Sequence, residues 1–350
     1  LARQQLLRRA KIKVPAAMEC LCGLQAQRAW SPHAALWSRI EGFEREKLTK
    51  PLHRRQIVRA TLMRATLHLV SAGDYFAWRK ALAPVMEAAL AALPKDRLRG
   101  LDAAAVTEFA RGVFGECPRT FGDLRERLRE VFPGGDDRVM GYAVRLLVPL
   151  VVVPDDSDWA LAADGEFALA EDWLGKGRAA GGSVEALVPR YLAAFGPATA
   201  ADMQRWSGLK GLKPVFEALR PPLAVFLDER KRELFDLPEA PRPPEDTAAP
   251  VRFLPEFDNV LLGCDDRARI VAEEHRPRLV TKNLLVPATF LVDGFVAGTW
   301  RVDRTKKAAT FTVSPFAKLS RGTKDELGAE AEKLARFLEP EAGTVAIEFA

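Results

Sequence analysis

Cysteine and histidine are scarce, four of each in 350 residues. Cys20, Cys22, Cys117 and Cys264 form no disulfide framework, so a reducing cytoplasm is the expected compartment. Only Cys20-x-Cys22 approaches a metal-ligand spacing, and none of His33, His53, His68 or His275 accompanies it. Both cysteines read as core side chains, and no metal is expected. There is no Walker-A loop, no glycine-rich dinucleotide fingerprint, no His-Glu-x-x-His and no Gly-x-Ser-x-Gly, so no cofactor is expected either. Long apolar runs are also missing. Uncharged stretches such as residues 146–154 and 283–292 are too short to span a bilayer. Arg8, Arg9, Lys11 and Lys13 interrupt any apolar leader. Secretion, membrane insertion and a disulfide scaffold are all disfavoured.

What is present is an ordinary folded composition, 48% hydrophobic and 28% charged. The length predicts two to four subdomains. Net charge is +5, but it is unevenly placed. Residues 1–64 hold 14 Lys/Arg against 4 Asp/Glu, an excess of ten, which leaves the remainder net acidic by five. Such a basic block suits a DNA-facing module, and equally a solvated helix surface. Arg301, Arg304, Lys306 and Lys307 form a second cluster far away in sequence.

Periodicity predicts helices over residues 3–9, 14–27, 33–40 and 54–64, a short strand at 67–69, and a helix over 75–93 capped by Asp74. Helices over 103–114 and 120–131 precede a β-branched run at 144–153 and a second strand at 166–170. That is the outline of a winged helix. It recurs as helices over 183–194, 199–207 and 213–219, followed by a hairpin of 223–227 with 233–237. Prolines at 238, 241, 243, 244, 250 and 255 mark a stiff linker. Beyond it, Asp293-Gly294 signals a hairpin between 289–292 and 295–302. A strand at 310–313, a helix over 324–338 and a last strand at 344–349 close the chain. The expected fold is α+β, with three tandem winged-helix units (1–94, 95–182, 183–238), a linker (239–252) and a C-terminal β-rich domain (253–350).

Residues able to carry chemistry are few. His68, between Leu67 and Leu69, reads as a hydrogen-bonded structural histidine rather than a base. Gly23-Leu24-Gln25-Ala26-Gln27 places two amides around a small residue inside the basic block. In extended chain, residues i and i+2 share a side, so both amides could meet one ligand. They could equally cap a helix end or face water.

Several segments together resemble one family. They are Leu1-Ala2-Arg3-Gln4, Gly23-Leu24-Gln25-Ala26-Gln27, Leu36-Trp37-Ser38-Arg39-Ile40 and Met63-Arg64-Ala65-Thr66-Leu67-His68-Leu69-Val70. Gly196-Pro197-Ala198-Thr199 with Trp206-Ser207-Gly208, then Phe253-Leu254-Pro255-Glu256-Phe257-Asp258-Asn259, then Val292-Asp293-Gly294 with Gly298-Thr299-Trp300 complete the set. In this order they resemble the tandem winged-helix DNA glycosylases of bacteria, the AlkZ/YcaQ-like group, across essentially the whole chain. The resemblance implies a monofunctional glycosylase that removes cationic N7-alkylated purines from double-stranded DNA and can unhook interstrand crosslinks made by a DNA-alkylating natural product. It implies Gln25 and Gln27 as the catalytic pair, three winged helices around a basic channel, and a β-hairpin beside the DNA. The basic turn at 303–307 is the candidate for that hairpin. Expected DNA contacts are Arg28, Arg54, Arg55, Arg59, Arg64, Arg301, Arg304, Lys306 and Lys307. At Gly263-Cys264-Asp265-Asp266-Arg267 the sequence departs from the family's His-Ala, and no role is assigned there. The chain is expected to act as a monomer. The competing readings are a non-catalytic winged-helix DNA binder, such as a regulator, and a resistance protein that sequesters the alkylating compound.

Overall fold

Proline in the first turn opens α1 (Val14–Cys20). Cys22 and Gly23 then take left-handed φ values of 59° and 78° and swing the chain into β1 (Leu24–Gln25). A Cβ on Gly23 would stand 3.0 Å from both Leu69 O and Val70 Cγ1, so glycine is demanded by space as well as by φ. The helix expected over 14–27 therefore ends at Cys20, and residues 3–9 form turns rather than a helix.

After α2 (Ser31–Trp37) and α3 (Glu46–His53) comes a hairpin of β2 (Ile57–Thr61) and β3 (Leu67–Ser71). This corrects the helix expected over 54–64. Arg55 is left-handed at φ 58°, which stops helix propagation, and the β-branched Ile57, Val58 and Thr61 pack well on a pleated surface. The helix expected over 75–93 is two, α4 (Ala72–Ala81) and α5 (Ala83–Ala91). Its cap is the Ser71 hydroxyl, which accepts from the Asp74 N–H.

The next stretch holds α6 (Lys95–Leu98), α7 (Ala103–Glu116), α8 (Phe121–Val131) and α9 (Asp137–Leu147). It ends in β4 (Leu150–Val152), β5 (Phe167–Leu169) and α10 (Ala170–Leu174). The apolar run at 144–153 is thus half helix and half strand. Helices followed by a hairpin return as α11 (Val184–Phe195), α12 (Ala200–Ser207), α13 (Lys213–Ala218), β6 (Ala224–Leu227) and β7 (Glu233–Asp236). The last part comprises β8 (Arg252–Leu254), α14 (Asn259–Leu262), β9 (Thr289–Val292), β10 (Phe295–Arg304), β11 (Ala308–Pro315), α15 (Arg321–Leu338) and β12 (Thr344–Phe349). The computed structural model describes residues 1–175, 182–279, 286–305 and 307–350.

One five-stranded sheet runs β1-β3-β2-β4-β5 and is antiparallel throughout. The hairpin that follows α9 is therefore stitched, through Arg59 opposite Val152, to the sheet carrying Gln25. A second sheet runs β12-β11-β10-β9-β8, with β12 parallel to β11 after the α15 crossover. Among the described residues, no helix is long and apolar enough to cross a membrane.

The largest core lies between α4 and α11–α12, where Trp206 packs against Trp78, Tyr191 and Phe195. A separate core joins the C-terminal sheet and α15 to Trp30, Ala34 and Trp37 of the N-terminal region. That junction is also polar. Arg39 donates two hydrogen bonds to the Asp258 carboxylate, at 2.9 and 2.7 Å, and neither side chain is exposed. The Ser38 hydroxyl donates to Phe253 O, and the Trp300 indole N–H to Leu254 O. The segment Phe253-Leu254-Pro255-Glu256-Phe257-Asp258-Asn259 is consequently bolted onto the first forty residues.

Candidate active site

Gln25 is held from both sides. Ahead of it, the Asn259 amide donates to Leu21 O at 3.0 Å and to Gly23 O at 2.7 Å. Behind it, Ala26 N donates to Leu67 O, and Ala26 O accepts from Arg59 Nε at 3.0 Å. Across the ladder Gln25 pairs with His68. With the carbonyls of Leu21, Gly23 and Ala26 and the Ala26 N–H engaged, the chain on either side of Gln25 is a rigid mount for one side chain.

That side chain meets a guanidinium. Gln25 Oε1 accepts from Arg64 Nη2 at 2.7 Å. Arg64 sits in the turn between β2 and β3 with φ 53°, and it also donates to the Trp206 carbonyl of α12. Arg64 Nη2 lies 3.2 Å from His68 Nε2, and His68 Nδ1 lies 3.0 Å from Thr66 O. A carbonyl can only accept, so Nδ1 carries the proton and Nε2 accepts from Arg64. His68 is thus neutral. Burial, then the Arg64 charge, push its pKa down to about 3. Burial and the neighbouring Arg205 lower Arg64 to about 10, so it stays charged at neutral pH.

Gln25 and Arg64 line a cavity of about 580 Å³. Its other walls come from Arg205 on α12 and from the segment after α14, including Asp265, Arg267 and Arg276, over an apolar floor of Phe257 and Val271. Four arginines against one aspartate make this an anion-attracting hollow.

The expected site residues separate sharply. Gln25 lines the cavity; Gln27, just past the strand, is exposed and is not among the lining residues. Arg28 is exposed and pairs with Glu256 at 3.2 Å, Arg54 is exposed, and Arg55 stacks 4.1 Å over Trp173. Arg59 is a correction: it is 3% exposed, and its Nε and Nη1 donate to the carbonyls of Ala26, Leu161 and Ala162, so the side chain is packed inside the fold rather than presented on a surface. Arg64 also moves, from a surface contact to Gln25's partner inside the hollow. Arg301 pairs with Asp303 and Arg304 with Glu339, Lys307 is exposed, and Lys306 lies outside the described residues. None of Arg301, Arg304 and Lys307 lines the cavity. Of the two cysteines read as core, Cys22 is buried and Cys20 is exposed.

Sequence reasoning missed Asn259, Arg205, Arg267 and Arg276. Asn259 contacts residues more than 230 positions away, which no local spacing reveals.

The neutral histidines have a measurable consequence. His33 is also buried, with its pKa pushed down to about 4. The unfolded chain's imidazoles titrate near ~6.5. Below that pH the unfolded chain takes up protons that the folded one refuses. Stability is therefore complete above about pH 6.5 and falls on acidification by up to roughly 1.4 kcal/mol per pH unit for each histidine. His33→Gln and His68→Gln are each expected to flatten the fall in melting temperature between about pH 6.5 and pH 4. An unchanged slope in both variants would contradict neutral, buried imidazoles.

A mixed helix-and-sheet scaffold holds the Gln25 amide in an arginine-lined hollow, a surface suited to a polyanion. The chain belongs to the AlkZ-like DNA glycosylase family, whose model matches residues 18–337. It is a DNA glycosylase. An interstrand DNA cross-link repair glycosylase of Streptomyces sahachiroi is 27% identical over 345 residues, which cover 90% of this chain and 88% of that one. The solved structure of Streptomyces sahachiroi DNA glycosylase AlkZ shares the fold at a TM-score of 0.77 and 21% identity, covering 100% of this chain and 96% of that one.

Proposed function

We propose that this glycosylase hydrolyses the N-glycosidic bond of cationic N7-alkylated purines in double-stranded DNA, and that its substrates include interstrand crosslinks made by a DNA-alkylating natural product. The observation that carries this reading is Gln25, an amide on a rigid mount at the wall of an arginine-lined cavity. Glutamine takes no proton at neutral pH, so it is not a general base in the usual sense. An N7-alkylated purine is already cationic and leaves as a neutral base without being protonated. The protein then has to orient a water and stabilise the oxocarbenium-like sugar, and amide dipoles serve both ends. Arg64 fixes which way the Gln25 amide is turned, and Gln27 meets the same substrate from the exposed side. A neutral, normal base would be a poor leaving group here, which gives selectivity for damage.

In this reading residues 1–94, 95–182 and 183–238 are three tandem winged helices, 239–252 the linker and 253–350 the β-rich domain. The enzyme acts as a monomer in the cytoplasm. Arg28, Arg54, Arg55 and the 301–307 turn contact phosphates outside the cavity. The relative named for interstrand cross-link repair supports the crosslink part. A crosslinked base stays tethered to the opposite strand and cannot enter a closed pocket, so the cleft must be open.

The test is one gel with two substrates, a duplex carrying a single N7-methylguanine and a duplex with an N7-linked interstrand crosslink, each followed by alkali. Release from both is expected. Release from the monoadduct alone would remove the crosslink claim, and salt-sensitive binding without release from either would favour a narrower adduct. Duplex affinity itself is expected to fall about 10³-fold or more between 50 and 200 mM salt if six or more phosphates are contacted. A flat salt dependence would contradict phosphate recognition by the arginines.

A further inference from the structure

Gln25 accepts no proton, yet the water that attacks the sugar must lose one. Among the residues lining the cavity, one carboxylate is present, Asp265. Its neighbours are all committed elsewhere. Asp266 caps the turn at 267–269 through Ala268 N and pairs with Arg232 at 2.7 Å. Asp258 is locked to Arg39, and Asp202 caps α12 through Thr199. The Asp265 side chain is exposed and makes no hydrogen bond or ion pair among the described residues.

Its backbone, by contrast, is fixed. Asp265 N donates to Asp202 Oδ1 at 2.8 Å, one residue after Cys264 and two after Gly263. Gly263 O accepts from the Tyr191 hydroxyl at 2.7 Å, and Gly263 N donates to Asn259 O. Asn259 is the residue that grips the strand of Gln25. One short segment therefore anchors both the amide and the carboxylate that share the cavity.

Charge supplies the rest. Arg205 and Arg267 suit the phosphates flanking a lesion, Arg64 being engaged by Gln25 and Arg276 paired with Glu273 at 2.8 Å, and the field of all four opposes positive charge developing on the sugar. A single anion among them is placed to offset that opposition.

We infer that Asp265 is a catalytic residue of this glycosylase, facing the sugar of the lesion, stabilising the oxocarbenium-like centre and accepting the proton of the attacking water. This rests on the cavity of Gln25 being the site of glycosidic cleavage. The step balances: the C1′–N bond breaks with its electron pair passing to the cationic base, which leaves neutral. A water oxygen bonds C1′, and its proton passes to the Asp265 carboxylate.

The test compares wild type, Asp265→Asn and Gln25→Ala in two assays. The first measures affinity for duplexes bearing a cationic pyrrolidine analogue of the sugar or its neutral tetrahydrofuran counterpart. Wild type is expected to prefer the cation, and Asp265→Asn to lose about tenfold of that preference while binding the neutral duplex as tightly or more tightly. An unchanged preference in Asp265→Asn overturns the proposal, whatever base the enzyme removes. The second measures single-turnover release of N7-methylguanine, expected to fall about 10²-fold in Asp265→Asn. Release at the wild-type rate by Asp265→Asn also overturns it. Wild type that keeps the cation preference yet releases nothing would count against the substrate assignment and leave Asp265 supported by the first assay.

Discussion

Gln25→Ala is expected to lower single-turnover base release by about 10²–10³-fold, the scale of losing one preorganised dipole from a transition state. Duplex affinity is expected to change only a few-fold, because the cations that meet phosphate stay in place. The effect is large because the amide cannot be replaced from nearby. Its mount is fixed by Asn259, Leu67 and Arg59, and its oxygen is turned by Arg64 at 2.7 Å. Truncation also leaves the half-buried Arg64 guanidinium with one acceptor fewer, so some stability is lost as well. Melting curves separate the two losses: activity should fall far more than the folded fraction at the assay temperature. A release rate within a few-fold of wild type would mean that the chemistry lies elsewhere in the molecule.

Arg39→Met carries the largest expected cost in stability, about 3–5 kcal/mol. The Arg39–Asp258 pair is fully buried and bidentate, and removing the guanidinium strands a carboxylate with no water to solvate it. The Val260 N–H still reaches Asp258, which softens the penalty without cancelling it. In Arg39→Met/Asp258→Leu much of the loss should return, since no charge remains buried, although the α14 cap is gone. Denaturant titrations of the two variants test this. Activity should track stability here, because Asn259, which holds the strand of Gln25, follows Asp258 directly. A destabilisation below about 1 kcal/mol for Arg39→Met would show that the pair is not the junction it is taken to be.

How much of this could be read from the chain depended on range. Thr120 and Thr199 announced helix starts, and both make full capping boxes. Asp293-Gly294 announced a hairpin, and β9 and β10 meet there. These signals are local, so sequence carries them. The helix expected over 54–64 failed because its apolar spacing fitted either period, and the left-handed turn at Arg55 was decided by tertiary packing. Arg59 and Arg54 look alike in sequence, five residues apart in one basic block. Only the fold shows that the first is buried against the carbonyls of Leu161 and Ala162 and the second left in water. Gln25 was legible as an unusual amide beside a second amide. Its dependence on Arg64 and Asn259 was not, because neither a left-handed turn nor a bond across more than 230 residues leaves a pattern in spacing.

The most direct measurement is incubation of the protein with a duplex carrying one N7-methylguanine, resolved on a denaturing gel with and without alkali, and with a parallel borohydride arm. Expected is strand scission only after alkali, which reports an abasic site, with no covalent protein–DNA adduct under borohydride. Tight, salt-sensitive binding with no abasic site would contradict cleavage of this base, and a trapped adduct would contradict hydrolysis by water held at Gln25.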